Sequence, residues 1–145
     1  MTSATPVARP GHRRPASGQR AWIVFVGRAD HLWQRLLRPG FRHCFAALED
    51  SRGWSVLDPM TGRLLLARLD VPAGYDLPGF YRRAGLLPVG PFVVPESVGG
   101  WGFGVLPLNC VSVCRAVLGR SAPMAWTPHG LFRGLRKIEK LGIYS

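Results

Sequence analysis

Phe41-Arg-His-Cys-Phe-Ala-Ala-Leu-Glu-Asp-Ser-Arg-Gly-Trp-Ser-Val-Leu-Asp-Pro59 contains two alternating apolar runs with a polar break between them. Side chains of a strand point to opposite sides in turn, so Phe41, His43, Phe45 and Ala47 share one face. Trp54, Val56 and Asp58 share one face of the partner strand. The pattern predicts an antiparallel hairpin with Glu49, Asp50, Ser51 and Arg52 as its loop and Pro59 as its end. In that register Gly53 faces Leu48, Trp54 faces Ala47, and Asp58 stands directly across from His43, at about 5 Å between Cβ atoms. A carboxylate so placed orients the imidazole and raises its pKa. Cys44 turns to the other face and reads as a core thiol, since free cysteine is among the most buried residue types.

Upstream of the hairpin, Trp22 to Val26 is β-branched and aromatic and predicts a first strand ending at Gly27. Asp30 can cap a short helix, His31 to Leu37, that stops at Pro39-Gly40. Downstream, a turn from Asp58 to Gly62 leads into Arg63 to Leu69, the third strand of a meander. Residues 70 to 90 are broken by proline and glycine, with room for one helical turn, Pro78 to Ala84, carrying Tyr81, Arg82 and Arg83. Gly90 to Pro95 predicts a further strand. The expected class is α+β, an antiparallel meander packed against a helix that bears a cysteine.

That helix is read from Pro107-Leu-Asn-Cys-Val-Ser-Val-Cys-Arg-Ala-Val-Leu-Gly119. Asn109 can cap it, Val111, Val113, Val117 and Leu118 are its apolar positions, and Gly119 is a terminator. Cys110 falls in the first turn, where unpaired N–H groups and the helix dipole favour a thiolate by about 0.3–1 kcal/mol. An imidazolium about 4 Å away, at an effective dielectric near 20, is worth about 4 kcal/mol, so a neighbouring histidine decides reactivity. Cys114, one turn later and deeper, reads as packing. Before the helix, Gly99-Gly-Trp-Gly-Phe-Gly104 lacks the Gly-Lys-Ser/Thr ending of a phosphate loop. Trp101 and Phe103 are instead candidate walls, with Asn109, of a cleft beside Cys110. Thr127-Pro128 then opens an amphipathic helix to about Leu141, with Leu131, Phe132, Leu135 and Ile138 on one side and Arg133, Arg136, Lys137 and Lys140 on the other.

The chain of 145 residues fits one domain, and its 47% hydrophobic content suffices for a core. Residues 1 to 20 hold four arginines, no acid and few large apolar side chains, which predicts a disordered basic arm before a single α+β domain, 21–145. The nineteen basic residues are all arginine except Lys137 and Lys140 and leave a net charge of +11. Such charge attracts nucleic acid, anionic lipid or acidic glycan, and Arg13, Arg14, Arg133, Arg136, Lys137 and Lys140 are the candidate contacts. Three cysteines without a Cys-x-x-Cys spacing suggest neither a secreted disulfide scaffold nor zinc, and nothing calls for a cofactor. No signal peptide opens the chain, and the apolar run from Ala21 to Val26 is too short to span a bilayer. A soluble, cytoplasmic protein is expected.

His43, Asp58 and Cys110 can be assembled as base, orienter and nucleophile. Their order resembles the circularly permuted papain-like fold of the NlpC-like peptidase superfamily, which includes the lecithin retinol acyltransferase group. There a strand histidine comes first, a polar residue follows on the next strand, and the cysteine opens a late helix. The matching positions are His43 in Arg42-His-Cys-Phe45, Asp58 in Val56-Leu-Asp-Pro59 and Cys110 in Asn109-Cys-Val-Ser112, over roughly residues 20 to 120. Ser112 stands where the acyltransferase group has a histidine, and a membrane-anchor helix is missing, so the resemblance implies peptide or amide hydrolysis rather than lipid acyl transfer. It also implies a phage-, virion- or cell-wall-associated setting. The alternative is a non-catalytic structural or assembly protein, or a nucleic-acid binder that uses the basic arm and the last helix.

Overall fold

The computed structural model describes residues 18–27, 39–60, 63–94 and 109–142. Residues 1–17 of the expected basic arm, Arg13 and Arg14 among them, the helix expected at 31–37, and Trp101 and Phe103 lie outside the described residues, whereas Arg20, expected in the arm, opens the first strand. Strands β1 (Arg20–Val26), β2 (His43–Asp50), β3 (Gly53–Met60), β4 (Arg63–Arg68) and β5 (Leu87–Val93) form an antiparallel sheet in the order β4-β3-β2-β1-β5. The expected meander runs from β1 to β4, and β5 returns to the free side of β1. Helices α1 (Leu77–Arg83), α2 (Cys110–Leu118) and α3 (Pro128–Leu141) complete the described fold.

The central strand β1 reads Arg-Ala-Trp-Ile-Val-Phe-Val with almost no alternation because both of its faces are covered. Ala21, Ile23 and Phe25 pack with Cys44 and Ala46 of β2 against Val111, Cys114, Val117 and Leu118 of α2 and Leu131 and Leu135 of α3. Trp22 and Val24 face the other way, joining Phe45, Ala47, Trp54 and Leu77 in a second core with Tyr75 and Tyr81 at its edge. Trp54 is fully buried there, its ring 4.9 Å from that of Trp22, and its indole Nε1–H donates to the Tyr75 carbonyl oxygen at 2.8 Å. Prolines 88 and 91 are tolerated in β5 because that strand is an edge of the sheet. Between them the pairing with β1 slips, and Gly90 occupies φ +143° where a Cβ would stand 2.7 Å from the Ala21 carbonyl oxygen. Only glycine fits that close approach.

The hairpin differs from expectation in register. Asp50 pairs with Gly53 and Leu48 with Ser55, so the loop is the two residues Ser51 and Arg52 rather than four. Asp50 accounts for the tighter turn: its carboxylate accepts from the Arg52 N–H at 2.7 Å and from the Arg68 guanidinium of β4 at 3.0 Å. The Arg68 bond, and after it the Arg52 N–H, holds the Asp50 carboxyl below the usual carboxylate range. Pro59 does not end the strand either. β3 runs on to Met60, because its pairing with β4 continues through Pro59↔Leu64 and Met60↔Arg63.

Candidate functional site

The β2–β3 ladder stops at Ala46↔Leu57, while β1 stays paired to β2 through Val26↔His43 and β4 to β3 through Met60. Residues 43–45 and 58–60 therefore flank one another at the end of the sheet without a ladder between them. In the observed register Asp58 is set diagonally from His43, not directly across as expected, and a diagonal pair on one face is within reach of longer side chains. The imidazole and carboxylate do meet, with His43 Nε2 2.6 Å from Asp58 Oδ1.

Cys110 arrives from the other layer. Asn109 caps α2 by accepting from the Ser112 N–H at 2.8 Å, and the Ser112 hydroxyl accepts from the Asn109 N–H at 3.0 Å. This reciprocal box sets the entry angle of the helix, and Cys110 becomes its first residue, 8% exposed. Asn109 is thus a cap that positions the cysteine, whereas the cleft-wall role expected of Trp101 and Phe103 falls on residues outside those described. The Cys110 thiol and the His43 ring are close enough that each influences the other's protonation. Because Nε2 is engaged by Asp58, Nδ1 is the nitrogen left for the sulfur.

The electrostatics depart from the thiolate expected at this position. Burial works to lower the His43 pKa, but the hydrogen bonds to Asp58 and Cys110 outweigh it, and the ring is raised to about 9. The Cys110 thiol is pushed above the ordinary thiol range, first by its hydrogen-bonded contact with Cys44 and then by burial, with His43 acting in the opposite sense. At neutral pH the pair therefore holds one proton more than a neutral thiol and imidazole would, and its titration belongs to both groups.

Two neighbours carried no signal in the linear pattern. Cys44, expected only as a core thiol, is fully buried and also shares one buried cluster with Cys110 and Cys114, both of which influence its protonation. Tyr81 of α1 packs edge-on to Phe45, ring centroids 5.4 Å apart, and burial followed by the nearby Asp58 charge raises its phenol pKa. Only the fold joins residues 45, 58 and 81. Elsewhere, Arg133, Arg136, Lys137 and Lys140 are exposed on α3, opposite the buried Leu131 and Leu135, with Glu139 bonded to Arg136 as the lone carboxylate of that helix. No helix among the described residues is long and apolar enough to cross a membrane.

Comparison of the chain with protein-family models, with curated proteins and with solved structures finds no match.

Proposed function

We propose that the chain is a thiol hydrolase of the peptidase or amidase type, working through an acyl-enzyme on Cys110. The observation that carries this reading is the 2.6 Å His43–Asp58 contact beside a cysteine at a capped helix start. In the proposed cycle the pair first loses one proton to solvent, leaving a thiol and a neutral imidazole. The Cys110 sulfur attacks the substrate carbonyl carbon while its proton passes to His43 Nδ1, and Asp58 holds the ring through Nε2. N–H groups in the first turn of α2 offer donors to the tetrahedral oxyanion. The imidazolium then protonates the departing amine or alcohol as the carbonyl bond to it breaks. Water, deprotonated by His43, releases the acyl group as an acid and restores the thiol. The order of His43, Asp58 and Cys110 along the chain, similar to that of permuted papain-like peptidases, supports the same assignment.

A small activated ester such as p-nitrophenyl acetate tests it. A stoichiometric burst of nitrophenol is expected, with the acetyl group mapped to the Cys110 peptide and a rate that climbs as pH approaches about 9. His43→Ala should slow acylation by about 10²–10⁴-fold, the usual worth of a positioned base. A folded chain that is acetylated only elsewhere, or equally fast without His43, rules the proposal out.

The basic face of α3 favours a second, non-catalytic reading, contact with a polyanion. Binding of a nucleic acid through Arg133, Arg136, Lys137 and Lys140 should weaken linearly in log Kd with log salt. Retention of affinity in concentrated salt excludes it.

A further inference from the structure

The proposed hydrolysis uses one of the three cysteines, yet the fold gathers all of them. Cys44 projects from β2 to the α2 side of the sheet, where it shares one buried cluster with Cys110 in the first turn of α2 and Cys114 one turn on, and both influence its protonation. All three are reduced and buried. A lone buried thiol in this core is explained by packing. A thiol clustered with a prospective nucleophile has a second chemistry open to it, because a sulfenic acid formed on one sulfur condenses with a thiol beside it.

We infer that Cys110 and Cys44 form a reversible redox couple, in which a hydroperoxide oxidises Cys110 and Cys44 resolves it as a disulfide. Cys110 is the sulfur an oxidant meets first. It is 8% exposed where Cys44 and Cys114 are fully covered, and it alone of the three stands at the helix start beside His43. In the first step the Cys110 sulfur attacks the terminal hydroperoxide oxygen while its proton passes to His43, and the O–O bond breaks. The released alkoxide, or hydroxide from hydrogen peroxide, takes the proton of the His43 imidazolium. Sulfur is oxidised to sulfenic acid and the hydroperoxide is reduced to alcohol or water. In the second step the Cys44 sulfur attacks the Cys110 sulfur and the S–O bond breaks. The departing hydroxide takes the Cys44 proton as water, and the two sulfurs are joined. A dithiol reductant reverses the cycle by exchange. The couple does not depend on the hydrolase reading, since no acyl substrate enters it.

The test is hydrogen peroxide titration of the full chain near pH 9, where the His43–Cys110 pair gives up its proton, read by intact mass and non-reducing peptide mapping. Expected is a loss of two hydrogens, a Cys44–Cys110 linked peptide, and full reversal by dithiothreitol. Cys114→Ala should leave that link unchanged. Cys44→Ala, and Cys44→Ser as a second variant if the first does not fold, should instead let dimedone trap the sulfenic acid on Cys110 and then let it proceed to sulfinic acid. Direct oxidation of wild-type Cys110 to sulfinic acid with no linked peptide overturns the inference. So does a disulfide that joins Cys44 to Cys114 and leaves Cys110 free. An ester burst on Cys110 without disulfide formation would dispose of the couple alone, and the converse result would dispose of the hydrolase alone.

Discussion

Asp58→Asn lowers the His43 titration by about 1–3 pH units, the range set by removing one hydrogen-bonded carboxylate from an imidazolium. In the native site the ring titrates at about 9 against an ordinary 6.5, and burial by itself works to lower it, so without Asp58 the downward influence of burial is less opposed. The raised pKa also fixes the direction of the stability profile. Below about 6.5 the imidazole is protonated in both folded and unfolded chains, and the contribution of the ion pair is fully present. Between that value and about 9 the folded chain binds more protons than the unfolded one, so stability falls as pH rises. The Cys110 thiol, itself raised, extends the loss further into the alkaline range, because the unfolded thiol ionises there first. NMR titration of the His43 ring and denaturant melts from pH 6 to 10 check both statements. An unchanged ring midpoint in Asp58→Asn, or a wild-type stability that is flat across this window, contradicts them.

Trp54→Ala costs about 3–5 kcal/mol, the usual penalty for truncating a buried large aromatic. Domains of this size hold about 5–15 kcal/mol in total, so the variant stands close to unfolding at room temperature. The cost has two sources. The ring fills the core between Trp22 and Leu77, and its Nε1–H satisfies the Tyr75 carbonyl of the chain that leads into α1. Trp54→Phe separates them: it keeps most of the packing and loses the hydrogen bond, for about 1–3 kcal/mol. Trp126→Ala, at 71% exposure, serves as the control and stays within about 0.5 kcal/mol of wild type. Guanidinium midpoints at constant slope give all three values. A Trp54→Ala midpoint as close to wild type as that of Trp126→Ala would mean the second core contributes little.

Much of the framework follows from local chemistry that acts over a few residues. The Asn109 cap and Gly119 stop bound α2, and Thr127-Pro128 opens α3, because these residues satisfy or terminate helix ends wherever the rest of the chain lies. Alternation placed Trp54 and Val56 on the face opposite Leu57, and the β-branched and aromatic run from Trp22 to Val26 marked a strand, though that both its faces are covered is seen only in the fold. The pairing of His43 with Asp58 was legible as well, since both lie on one hairpin.

The register of that hairpin was not legible. A four-residue and a two-residue loop satisfy the same alternation, because a shift of two residues keeps every side chain on its face. Asp50 decides between them by binding Arg52 and, eighteen residues away, Arg68. The return of β5 to β1, the approach of Tyr81 to Asp58, and the clustering of Cys44 with Cys110 likewise depend on which layers stack on which. The sequence by itself determined the ends of α2 and α3, the faces of β2 and β3 and the nearness of His43 to Asp58, because each is encoded by near neighbours; Phe41, expected on the face of His43 and Phe45, instead precedes β2 and packs with Phe25 and Phe132 on the α3 side. Only the tertiary structure decided the protonation of the site and the clustering of its thiols, because burial and contacts between sheet and helix set both.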